Sequence, residues 1–181
     1  MQKLEVFQSL WGMELKHPTL PERSHEENFA MAAEAGFAGI CLDPNTDELP
    51  YYRETAPLFE KYGLKCMVNL FPRRMEDMQP LLEFAREVNA VKVNTIAQVM
   101  PVSVAGAIPL INRWLEQARH MGMDLLLETH RNGILNDLYF TLEVLDAIPE
   151  LQLTADLSHF VVDREFPLPI SVRRVGRRAA S

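Results

Sequence analysis

Glu128-Thr129-His130-Arg131-Asn132 places a carboxylate, an imidazole, a guanidinium and an amide in one short stretch, and Asp156 is followed three residues on by His159. In an extended strand, residues i and i+2 share a face, so Glu128 and His130 look the same way with Leu126 beneath them. Two carboxylates with two imidazoles close by suit a hard or borderline divalent ion, with anionic oxygens supplying charge and nitrogens suiting Mn, Co or Zn. A carboxylate at such a place can also move a proton beside a carbonyl that the ion polarises. The plainer alternative is that Glu128 and Asp156 cap helices and both histidines are loop residues. Spacing alone weighs the two evenly.

The elements that must position these residues repeat regularly. Six segments rich in β-branched and aliphatic residues span 4–10, 38–43, 65–70, 91–95, 124–129 and 152–157, their starts about 30 residues apart. Helical patterns lie between them. Ser24 with Glu27 forms a capping box ahead of Phe29, Ala33 and Phe37, with Gly36 at the expected stop. Met78, Leu82, Ala85 and Val88 form another stripe, as do Ile108, Ile111, Leu115 and Ala118, and then Leu138, Leu142 and Leu145. Around 51–62, Pro57 must sit near a first turn or kink the helix. Strands alternating with helices imply βαβ units and a parallel sheet. Trp11-Gly12-Met13 after the first strand carries no glycine-rich phosphate loop, which favours a (β/α)-barrel over a doubly wound sheet. In a barrel, chemistry collects at the carboxyl ends of the strands. Here those ends are Asp43, Asn69, Asn94, Glu128 and Asp156. The expected fold is therefore α/β of TIM-barrel type, incomplete, with about six of eight βα units: a partial barrel over 1–163 and an irregular basic tail over 164–181.

The 181 residues, 48% hydrophobic and 24% charged, suit one globular domain and exclude a disordered or collagen-like chain. The net charge of −7 hides an asymmetry. Residues 164–181 carry five arginines and one acid, leaving −11 on the body, which repels a nucleic-acid backbone. The opening residues are too polar for a secretory signal, and no run approaches the roughly 18 apolar residues of a membrane helix. With Cys41 and Cys66 reading as small buried hydrophobes in the second and third strands, the expectation is a cytoplasmic protein with neither nucleic-acid nor membrane partners.

LLLETH and LTADLSH, at strands five and six of such a series, resemble the sugar isomerase and epimerase superfamily with a xylose isomerase-like TIM barrel; the resemblance covers roughly 4–165. It implies a metal held by Glu, Asp, His and Glu from strands five to eight, of which Glu128 and Asp156 match the first two. It further implies that Glu128 serves as base, that His159 and His130 orient substrate oxygens, and that Trp11 forms a flat wall against a sugar ring. The other two ligands have no counterpart in this sequence, so the divalent ion (Mn, Co, Mg or Zn) is expected to bind weakly. The activity implied is isomerisation or epimerisation of a small polyhydroxylated sugar or sugar phosphate through an enediolate. The alternatives are an inosose-type dehydratase on the same scaffold, or a non-catalytic partial barrel that only self-associates. An abasic-site endonuclease would need a basic face and more histidines.

Overall fold

The computed structural model describes residues 4–14 and 19–162. The expected basic tail over 164–181 lies outside the described residues. The strands are β1 (Phe7–Ser9), β2 (Gly39–Leu42), β3 (Lys65–Leu70), β4 (Lys92–Thr95), β5 (Leu125–Glu128) and β6 (Gln152–Thr154). All pair in parallel in one sheet, in the order β1-β2-β3-β4-β5-β6. That sequential order is the one a partial barrel requires. β2 is confined on both sides at Gly39, where a Cβ would lie 2.2 Å from the Lys65 carbonyl oxygen of β3 and 2.5 Å from the Phe7 ring of β1.

The helices are α1 (His25–Glu34), α2 (Leu49–Arg53), α3 (Ala56–Tyr62), α4 (Met78–Glu87), α5 (Val104–His120), α6 (Leu138–Ala147) and α7 (Ser158–Val162). The capping box starts α1: Ser24 Oγ accepts from the Glu27 N–H, and the Glu27 carboxylate accepts from the Ser24 N–H. Phe37 falls beyond the end of that helix; Asn28, Phe29 and Ala32 are its fully buried residues, and Ala33 and Phe37, partly buried, pack against the same core. The expected helix over 51–62 is two helices. Pro50 and Pro57 each occupy a first turn, where the missing N–H costs nothing. The five-residue α7 was not expected.

Side-chain parity follows the barrel logic. On β3, Cys66, Val68 and Leu70 are buried beneath helices while Met67 and Asn69 on the other face are only partly covered. β5 repeats this with Leu125 and Leu127 against Leu126 and Glu128. The outward apolar rows join Leu82, Ile111 and Trp114 in the core. This core fixes the strands and leaves their polar ends facing one mouth.

Candidate active site

At the carboxyl ends of the strands lies a cavity of about 670 Å³. Glu128, His130 and Asp156 line it, and Trp11, 71% exposed on a short helical turn after β1, lines it as well. His159 is buried just behind, its ring centroid 3.9 Å from that of His130. The structure thus brings together all five residues to which the sequence assigned a role. Sequence reasoning missed Asn45, Glu48, Arg73 and Ile96, which also line the cavity from loops and strand ends.

A line of polar side chains crosses five strands beneath this cavity. Ser9 Oγ donates to Asp43 Oδ2 (3.1 Å), and Asn69 Nδ2 donates to Asp43 Oδ1 (2.7 Å). Asn94 Nδ2 donates both to Asn69 Oδ1 (3.0 Å) and to Glu128 Oε2. Strand register explains the line: Asn69 is directly opposite Asn94, and Asn94 is opposite Leu126, one pleat from Glu128. Each strand end seen separately in the sequence is therefore a link in one network.

Electrostatically, the cavity is lined by several carboxylates. Burial pushes the Glu128 carboxyl above its ordinary range; the Asn94 hydrogen bond opposes this, and the charges of Asp156 and Asp43 add to it. Burial raises Asp43 too, against the bonds from Asn69 and Ser9. Asp156 is lowered, chiefly because the Ser158 hydroxyl donates to it, with the Ser158 N–H helping. Asp156 does therefore carry out the local turn role of the plainer sequence alternative, through Oδ1. Glu128 caps no helix among the described residues. The backbone of Asp156 is tied to β5, since Thr129 Oγ1 donates to its carbonyl (3.0 Å).

The donor set suits a divalent ion. Glu128 has one oxygen engaged by Asn94 and Asp156 one engaged by Ser158, and the charge of Asp156 raises the Glu128 carboxyl. Glu128, His130 and His159 offer one ligand-type atom each, all within 4.8 Å of one another, and Asp156 is not in that group.

No protein-family model matches the chain, and no curated protein matches it. Solved structures do. The probable 3-DHS dehydratase of Bacillus anthracis is 20% identical with a TM-score of 0.65, covering 96% of this chain and 70% of that one. D-allulose 3-epimerase from Methylomonas is 17% identical with a TM-score of 0.69, covering 98% and 71%. A xylose isomerase-like TIM-barrel protein from Mycobacterium smegmatis, in complex with magnesium, is 16% identical with a TM-score of 0.64, covering 94% and 71%. The fold is that of a partial xylose isomerase-like TIM barrel. At these identities the likeness establishes architecture; the chemistry must come from the side chains of this partial barrel. No described helix is long and apolar enough to cross a membrane.

Proposed function

We propose that the protein belongs to the sugar isomerase and epimerase superfamily and is a divalent-metal-dependent isomerase or epimerase of a small polyhydroxylated substrate. The observation that carries this reading is the Glu128 carboxylate, lining the cavity, held at one oxygen by buried Asn94 and faced by two imidazoles. Glu128 and Asp156 would hold the ion, which supplies charge to polarise a substrate carbonyl and acidify the neighbouring C–H. Two carboxylates leave most positions of a hard cation to water, so binding is weak.

Glu128 is also the proton acceptor. Asn94 fixes the direction of its free oxygen. His130 and His159 orient substrate oxygens, and Trp11 offers an apolar ring at the cavity wall to the C–H face of a sugar. The structural neighbours include enzymes named for epimerisation and for dehydration. On this site the two share proton removal and differ in whether a hydroxyl then departs.

The test is exchange of carbon-bound hydrogen with deuterated water, using D-allulose first and then a panel of keto-sugars and their phosphates, with Mn²⁺ or Mg²⁺. Metal-dependent exchange that Glu128→Gln abolishes supports the reading, and loss of water from the substrate would select the dehydratase. Mn²⁺ binding indifferent to both Glu128→Gln and Asp156→Asn overturns it.

A further inference from the structure

The proximity of Glu128, His130 and His159 would by itself suit a metal held by two imidazoles and a carboxylate. The hydrogen bonds on the rings argue otherwise. A metal-bound histidine uses one nitrogen on the ion and donates its other N–H to a carboxylate, carbonyl or water. Here the partners are reversed. The Asn132 backbone N–H donates to His130 Nδ1 (3.1 Å), and the nearest partner of His159 Nδ1 is the Arg131 guanidinium nitrogen at 3.3 Å. Guanidinium and backbone N–H groups are donors only, so each Nδ1 must accept, and in a neutral ring the proton then sits on Nε2. Neither ring retains a lone pair for an ion.

We infer that Arg131 is a positioning residue that, together with the backbone N–H of Asn132, fixes His159 and His130 as a pair of Nε2–H donors for one anionic oxygen of the substrate, and so takes both rings out of the metal's ligand set. This rests on the proposed function for the identity of the oxygen, the one on which an enediolate's charge develops. Paired neutral donors stabilise such an oxygen without having to lose a proton themselves.

The surroundings agree. The groups facing the two rings are Arg131, Asn132, Glu128 and Asp156. Asp156 Oδ2 lies 3.6 Å from His159 Nε2, beyond a direct hydrogen bond, so among the described residues no direct hydrogen bond engages that N–H. Asn132 belongs to a pinned turn, with the Gly133 N–H on the His130 carbonyl (2.8 Å) and the Ile134 N–H on the Ala97 carbonyl (2.7 Å). The donor to His130 is thus built into backbone, whereas the donor to His159 is one removable side chain.

The experiment reads imidazole tautomers by long-range ¹H–¹⁵N NMR on the full 181-residue chain. The protein is treated with EDTA and held at one pH above the imidazole range, and His130→Gln and His159→Gln provide the assignments. Both rings should show the Nε2–H pattern. In Arg131→Met, and again in Arg131→Leu, neither of which has a side-chain donor, His159 should lose its single-tautomer signature while His130 keeps its own; Arg131→Lys, which retains a donor, should restore it. An Nδ1–H pattern for His159 in the unaltered chain overturns the inference even if every variant misfolds. So does a folded Arg131→Met in which His159 is unmoved, or one equivalent of Zn²⁺ shifting both rings as ligands. The spectrum needs neither substrate nor bound ion, so its outcome is separate from that of the exchange assay.

Discussion

Glu128 is caught between two opposing influences, and its behaviour should expose both. Burial, with Asp156 and Asp43 nearby, raises its pKa, while Asn94 donates to its ionised form. Metal binding requires the ionised form, so Mn²⁺ affinity should begin to fall, as pH is lowered, at a higher pH than for an ordinary glutamate near 4.3. Asp156, held below its usual range, should stay charged throughout that fall. Titration of Mn²⁺ binding by electron paramagnetic resonance across about pH 4–8 checks this; the decline should vanish in Glu128→Gln along with most of the binding. Asn94→Leu should weaken binding on the order of tenfold, the scale of an orienting partner's loss, and move the decline to still higher pH. Unchanged Mn²⁺ affinity in a folded Asn94→Leu would show that the amide does not hold the carboxylate.

Elements were legible from periodicity, because strands of period two and helices of period 3.6 leave different apolar patterns. All six strands lie where the β-branched runs placed them; β5 ends at Glu128, and His130, two residues beyond it, lines the same cavity. Partners across strands were not legible. The Asn69–Asn94–Glu128 line depends on register, which no single strand's sequence states. Arg73 reaches the cavity from a loop whose shape is set by Asp77, whose carboxylate accepts from the Arg73 and Arg74 N–H groups (3.0 and 2.9 Å) and from the Arg74 guanidinium (2.8 Å). Asp77→Ala should therefore cost about 1–2 kcal/mol, as the loss of a helix-start acceptor does, and loosen the β3–α4 loop. Burial pushes the Asp77 carboxyl up, but these hydrogen bonds outweigh it and leave the group below its ordinary value. Its contribution is present above an ordinary aspartate's pKa and disappears as pH falls through the depressed folded value. Glu128 and Asp43, both raised, act in the opposite sense: charging them costs stability as pH rises through their folded values. Urea unfolding of Asp77→Ala and the unaltered chain should give a stability gap at neutral pH that narrows in acid; a gap constant with pH would contradict the assignment.

At the scale of the whole molecule, the sheet that builds the cavity has two ends. Among the described residues β1 pairs only with β2 and β6 only with β5, so each presents a row of unpaired backbone groups. Both strands are three residues long, and short edges are poor templates for pairing with another chain. Apolar side chains tip the balance. Leu4 and Val6 are 84% and 50% exposed just before β1, and Val161 and Val162 are 56% and 59% exposed on α7, which follows β6. Edge and apolar flank therefore coincide at both ends, and the 181-residue chain should self-associate through them. Sedimentation velocity should show association that grows with protein concentration and persists at high salt, since it is driven by apolar contact rather than charge. Val6→Lys with Val161→Lys should shift the distribution toward monomer without altering Mn²⁺ binding, because neither residue lines the cavity. A concentration-independent monomer, or association that the double substitution leaves intact, would place the contact elsewhere on the surface.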